Sequence, residues 1–254
     1  MINIKTPEQI EGIRKSCKLA ALTLQYLDQF VVPGVTTNYV NDIAEKFIRD
    51  NGAVPAPLNY KGFPKATCIS VNEVVCHGVP SERILKDGDI VNVDVTTILN
   101  GYFGDTCKMF PVGKVSDDAV NLMKTTFGAL LQGILQVRPG NQFGNIGWHI
   151  QKYAEEKGYS VVFEFCGHGV GLEFHEEPQV SHVARKMNMG PNMQPGMIFT
   201  IEPMINQGSP RTILNEQDGW TASTFDGKLS AQYEHTVLVT ENGVEVLTNP
   251  DRHQ

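Results

Sequence analysis

The sequence predicts an α+β fold assembled from two related halves, and three observations carry that prediction. Pro33-Gly34 recurs as Pro139-Gly140 and Gly52 recurs as Gly158, each 106 residues further on. Between them Val40 matches Ile146 and Phe47 matches Tyr153. The pattern Gly88-x-Ile90-x-x-x-Asp94 then recurs as Gly196-x-Ile198-x-x-x-Glu202, 108 residues on. The third observation is Asn100-Gly101 between two β-rich runs, the strongest short hairpin signal. Each half reads helix, Pro-Gly break, helix, then a strand bearing a carboxylate. A solenoid would need at least three shorter repeats. Two copies instead predict one pseudo-twofold domain over residues 1–254, with halves of roughly 6–110 and 112–250. Its site is expected at the interface between the halves, where pockets tend to lie.

Residues 6–30 read as a helix. Thr6 is an N-cap, Pro7 stands at the first helical position, and Ile10, Ile13, Leu19, Leu22 and Tyr26 recur at roughly helical spacing. Val32-Pro33-Gly34 breaks it, and a second helix follows over 38–50, ending near Gly52. Residues 56–80 are rich in Pro, Gly and aromatics, with one short strand at 68–71 and His77 before Gly78. A single loop histidine is by itself compatible with a structural role. The hairpin around Asn100-Gly101 carries Asp94 on one arm and Asp105 on the other. A two-residue turn pairs Leu99 with Tyr102 and puts the carboxylates diagonal on one face. A four-residue loop sets them opposite each other, and a three-residue loop separates them. The hairpin alone leaves open that both are solvated surface aspartates.

In the second half, Cys166-Gly167-His168-Gly169-Val170-Gly171 lacks the Gly-Lys-Ser/Thr of a P-loop and does not fit G-x-G-x-x-G. Its glycines let backbone approach a ligand while His168 points into a site. A strand over 197–205 carries Glu202 followed by Pro203. A long strand over 228–240 carries Gln232, Glu234 and Thr236 on one face, and Glu241-Asn242-Gly243 turns it into a last strand over 244–247. Residues 186–194 read as an exposed loop.

Composition narrows the function. The chain has 254 residues, 41% of them hydrophobic, and a net charge of -7 with no basic run. Nucleic acid and anionic membranes are therefore not expected as main partners. The first residues contain no apolar signal segment, and no apolar run approaches the ~18 residues that span a bilayer. A cytoplasmic protein is expected. The five cysteines are odd in number and scattered, with no CxxC pair, which argues against a disulfide framework and a cysteine zinc site.

Asp94, Asp105, His168, Glu202 and Glu234 all fall on predicted strands or in the Gly-rich turn. Carboxylates are almost never fully buried unless paired. An all-oxygen set would suit Mg²⁺ or Ca²⁺, and the imidazole shifts the preference toward Mn, Fe, Co or Zn. Five ligands exceed one catalytic zinc and fit two metals about 3.5–4 Å apart.

At these residues the chain resembles the type I methionine aminopeptidases, which have a two-metal "pita-bread" fold around a curved antiparallel sheet. The matching stretches are PLNYKGFPKATCISVNEVVCHGVP, GDIVNVDVT, GDT, CGHGVG, FHEEPQV, GMIFTIEPM and SAQYEHT, in the family's order over nearly the whole chain. The resemblance implies that Asp94 chelates one metal, that Asp105 and Glu234 bridge both, and that His168 and Glu202 complete the other. It implies supporting roles for His77 and His175, and a pocket for the methionine side chain among Tyr60, Phe63, Cys68, Phe174 and Trp220, all apolar or soft. The expected activity is removal of the initiator methionine from nascent proteins, at or away from the ribosome, by a monomer.

The interval between Glu202 and Glu234 leaves no room for the helical insertion of type II relatives, and no N-terminal zinc-binding extension is expected. Proline-directed aminopeptidases and dipeptidases share the five ligands, but usually carry a separate N-terminal domain. A catalytically dead relative that binds peptide or RNA would typically have lost ligands. Residues 181–194 depart from the family pattern and could reach the rim of the cleft.

Overall fold

The structure is a computed structural model that describes residues 2–249. Residue 1 and residues 250–254, the ends of the predicted domain, lie outside them. Asn100 and Gly101 turn the chain between the strands Ile90–Leu99 and Tyr102–Pro111. Both have positive φ, 52° and 83°, as a type I′ turn requires and as Asn-Gly allows at least cost. Leu99 pairs with Tyr102 and Thr96 with Asp105, so the two-residue turn is the one formed. Asp94 pairs with Cys107 and lies diagonal to Asp105 on the same face. The alternation of the strand then sorts its side chains. Val91, Val93 and Val95 are fully buried in a core shared with the first two helices. Asn92, Asp94 and Thr96 face the other way.

Helix α1 (Pro7–Leu27) starts in a capping box, Thr6 accepting from the Gln9 N–H and Gln9 returning a bond to the Thr6 N–H. It ends three residues before the predicted Phe30. The Phe30 N–H bonds to the Leu27 carbonyl, an i−3 closure, and Pro33 keeps Val32 out of helical conformation. Helix α2 (Thr37–Asp50) is capped by Thr36. Helices α3 (Asp117–Ile134) and α4 (Gly144–Glu155) follow and pack Leu122, Leu130, Ile146 and Ile150 into a second core with Phe199, Ile201 and Val237. Among the described residues no helix is long and apolar enough to cross a membrane.

The positions matched by the repeat carry matched backbone bonds. Gly34 N–H donates to Leu85 and Gly140 N–H to Met193, at 2.8 and 2.9 Å. Ala53 N–H donates to Ile48 and Tyr159 N–H to Ala154. Isolated bridges join Thr36 to Ile84 and Gln142 to Asn192. The glycines at 34, 52, 88, 140, 158 and 196 all have φ between 76° and 96°.

Every strand pairing among the described residues is antiparallel. The strands form sheets of four, three, three and five. The two largest are stitched together where Thr236 Oγ1 donates to the Asp105 carbonyl (2.7 Å) and Thr106 Oγ1 to the Glu234 carbonyl (2.7 Å).

Two predicted strands are each divided. Residues 197–205 become Ile198–Ile201 and Met204–Asn206, and residues 228–240 become Ser230–Gln232 and His235–Thr240. The pairing stays in step across the gap, from Met204 with Gln232 to Ile201 with His235. The ladder is interrupted because Pro203 has no N–H to give. The Glu202 N–H goes instead to His182 Nε2 (3.1 Å), and the Glu234 N–H to the Cys107 carbonyl (3.1 Å). The last strand is Gly243–Val246, one residue earlier than predicted. In the predicted exposed loop 186–194, Met193 is buried. The loop packs on α4, with the Asn188 N–H bonded to Asn145 and the Gly144 N–H to Met189.

Helix α1 lies directly on the hairpin. Ser16 Oγ donates to the Thr97 carbonyl (3.0 Å), and Thr97 Oγ1 to the Ser16 carbonyl (3.0 Å). A Cβ on Gly104 would stand 2.2 Å from the Cys17 nitrogen. Those atoms are helix backbone and cannot rotate aside. Gly104→Ala is therefore expected to destabilise by about 3 kcal/mol, the upper part of the usual overpacking range. A urea midpoint equal to that of the wild type at unchanged m would contradict this contact.

Candidate metal centre and active site

Four carboxylates meet where the divided strands pass the hairpin. Asp105 and Glu234 are 4% and 3% exposed. Thr96 Oγ1 donates to Asp105 Oδ1 (2.8 Å) and Thr200 Oγ1 to Glu202 Oε1 (2.7 Å). Gln232 Nε2 adds a 3.3 Å bond to Glu202 Oε2. Asp94 Oδ1 is buried with no hydrogen-bond partner.

His168 faces this group from the strand Gly167–Gly169. Its N–H is held by Thr200 Oγ1 (2.9 Å), and its Nδ1 lies 3.0 Å from the Gly169 carbonyl. A carbonyl can only accept, so Nδ1 carries the proton and Nε2 presents a lone pair. That lone pair points at Asp105 Oδ2 and Glu202 Oε1, both at 3.7 Å. Burial pushes the imidazole pKa down to about 4, so protonation does not relieve the clash. Burial also drives Asp105 up to about 7 and Glu202 up to about 8, and raises Asp94 and Glu234 well above the carboxylate range, with mutual repulsion adding to the last two. Asp105, His168 and Glu234 offer donor atoms all within 4.8 Å of one another. A lone pair and several carboxylates turned toward one space, with one buried oxygen unpartnered, fit a divalent cation. Asp94 stands outside that tightest group of three, and Glu202 reaches it through His168.

All twelve residues singled out in the sequence line one cavity of about 650 Å³. Tyr60 packs on Phe174 with ring centroids 4.7 Å apart, and Phe63 meets Trp220 edge-on at 5.3 Å. Cys68 pairs with Asp94 across the sheet, which brings the thiol wall beside the carboxylates. His77 sits at φ 54°, with Trp220 and Phe165 edge-on to its ring. His175 Nδ1 lies 3.0 Å from Tyr60 Oη. Burial, and then the neighbouring His168, hold His175 down at about 3, so its ring is neutral.

Residues 181–194 stay clear of this cavity's wall, with one reach inward. His182 is 1% exposed and accepts the Glu202 N–H. The sequence offered no signal for it, since a single histidine after a strand looks like any other. Thr96 and Thr200 were likewise missed, although their alternation with the carboxylates on the same strand could have found them.

A model of metallopeptidase family M24 matches residues 11–241. The methionine aminopeptidase of Rickettsia prowazekii is 49% identical over 97% of this chain and 95% of its own length. A crystal structure of methionine aminopeptidase from that organism matches with a TM-score of 0.97, covering 98% of this chain and 100% of the other. A prolidase from Pyrococcus furiosus is more distant, 25% identical with a TM-score of 0.77, and only 65% of it is covered. The fold shared with these structures is the pita-bread α+β arrangement expected above. By the extent of both matches, the chain belongs to metallopeptidase family M24, among its methionine aminopeptidases.

Proposed function

We propose that this protein removes the N-terminal methionine from newly made polypeptides whose second residue is small, acting in the cytoplasm as a single catalytic unit of two halves, roughly 6–110 and 112–250. The observation that carries the reading is one cavity that combines the five donor residues with an apolar, soft-walled pocket. The matched turns of the two halves support the single unit. Two divalent ions, Mn, Fe, Co or Zn, fit the donor set. Asp94 would hold one, Asp105 and Glu234 would bridge both, and His168 with Glu202 would hold the other. When bound, such ions lower the pKa of a water and polarise the scissile carbonyl.

The remaining steps belong to side chains. Tyr60, Phe63, Cys68, Phe174 and Trp220 receive the methionine side chain. Burying a thioether against aromatic rings and a thiol is favourable without demanding a fixed geometry. The substrate's α-amine lies beside Asp94, which confines cleavage to the chain end. Glu202 takes the proton of the attacking water and passes one to the leaving amine. With the Tyr60 hydroxyl as the donor to His175 Nδ1, the proton of that neutral ring sits on Nε2. His175 then donates toward the carbonyl oxygen as it gains charge. His77, on a loop locked by its positive φ, holds the substrate backbone beyond the cleaved bond.

Three outcomes test this. Met-Ala-Ser should be cleaved and Met-Lys or Met-Phe peptides spared. Efficient hydrolysis of an Ala-Pro peptide instead would favour the proline-directed relatives. Glu202→Gln should lower kcat by roughly 10²–10⁴-fold with KM little changed, and saturating metal should recover only part of the loss. Full recovery would make Glu202 a ligand and nothing more.

The third outcome concerns pH. Asp105 and Glu202, raised to about 7 and about 8, bind protons in the folded metal-free protein that the unfolded chain has already released. Their stabilisation is complete below the unfolded carboxylate pKa and is lost as pH rises through 7 and 8. His77, His168, His175, His182 and His235, all depressed by burial, work the other way, mostly below and around the unfolded histidine pKa of about 6.5. Between pH 6.5 and 8 the carboxylates decide the sign. The metal-free protein should therefore lose Tm across that interval, and Mn²⁺ should raise Tm more at pH 8 than at pH 6.5. A metal-free Tm that climbs from pH 6.5 to 8 contradicts the buried carboxylate group.

A further inference from the structure

The N-terminal segment ahead of α1 is built into the wall of the cleft. Lys5 is 4% exposed, although lysine is almost never fully buried unless paired. Its Nζ pairs with Glu176 Oε2, and Asn3 Nδ2 donates to the same oxygen at 2.9 Å. The other oxygen, Oε1, accepts the N–H groups of Leu172 (2.7 Å) and Glu173 (3.0 Å). One carboxylate thus ties two segments far apart in sequence, the N-terminal strap and the turn that runs up to His175. Both ends of the tie are anchored. The Lys5 N–H donates to the Gly196 carbonyl (2.9 Å), just before the strand that leads to Glu202. The Gly171 carbonyl, at the start of the turn, accepts the Phe103 N–H (2.9 Å) from the hairpin. Phe174 and His175 are carried between these fixed points and line the cavity.

A buried ion pair is a poor source of stability, since an apolar replacement of both partners is often neutral or better. Its worth here lies in direction. We propose that Lys5 and Glu176 are positioning residues, which hold the turn of residues 171–175 so that the His175 ring stays against Tyr60 and aims into the cleft. The inference rests on the role given to His175 above. It gives Asn3 and Lys5 a part in shaping the active site, although neither lines the cavity.

Lys5→Met removes the ammonium and keeps the length of the side chain. Hydrogen exchange at the Leu172 and Glu173 amides should quicken about tenfold, the worth of one charge-assisted bond. With a Met-Ala-Ser peptide, kcat should fall by a similar factor while KM and bound metal, counted by elemental analysis, stay as in the wild type. Lys5→Arg should retain both properties more nearly. Where Lys5→Met is too unstable to purify, the double variant Lys5→Met/Glu176→Gln leaves no unpaired buried charge and is read the same way. Wild-type kcat in the variant overturns the proposal, and so does a lowered kcat with wild-type exchange at these two amides. A wild-type protein that cleaves no methionyl peptide would fail the function proposed above, while the exchange measurement would still test the tie.

Discussion

Four carboxylates and a neutral imidazole share one buried space, and most of the structure around them can be understood as the means of holding them there. Like charges in a low-dielectric interior repel strongly, and isolated ones instead take up protons. The raised pKa values of Asp94, Asp105, Glu202 and Glu234 express that cost. A cation removes it. The buried group therefore favours a divalent cation, which relieves the repulsion without protonating the carboxylates.

The backbone gives up regular pairing to achieve this. At Glu202-Pro203 and at Glu234 the ladder is open, yet the register on either side does not slip. The freed N–H groups find other partners in His182 and the Cys107 carbonyl, as buried donors must. Hydroxyls supply the remaining direction, Thr96 for Asp105 and Thr200 for Glu202. Threonine suits this task because its stiff side chain loses little further freedom when its hydroxyl is committed.

Two hydrophobic cores flank the site and make these local departures affordable. One lies between α1, α2 and the outer face of the hairpin, and the other between α3, α4 and the strands bearing Glu202 and Glu234. The helix α1 backbone at Ser16 and Cys17 comes up against Gly104, the residue beside Asp105. A smaller apolar cluster of Val75, Cys76, Val162, Met204 and Ala222 also borders the cleft, whose wall depends further on aromatic contacts and on the polar tie between Lys5, Asn3 and Glu176.

Local chemistry alone determined part of this protein. Asn-Gly accepts positive φ at two successive residues, so the hairpin followed from the sequence, whereas the two-residue register, one of three loop lengths the sequence left open, was decided by the fold and puts Asp94 and Asp105 on one face. Capping and Pro-Gly signals placed α1 and α2 to within a few residues. His168, Glu202 and Glu234 stood out by residue type on predicted strands and in a Gly-rich turn, but the individual roles proposed for them, and the proposed methionine pocket, were legible only through resemblance to a family, because no periodicity links His168 or Trp220 to Asp94. Tertiary structure decided the rest. The division of two strands depended on acceptors supplied from elsewhere, His182 and the Cys107 carbonyl, and no strand propensity encodes those. Lys5 and Glu176 stand 171 residues apart, and each is an ordinary charged residue in its own neighbourhood. Their pairing is a property of the folded chain, since it exists only once α1, the hairpin and the turn before His175 have been brought together.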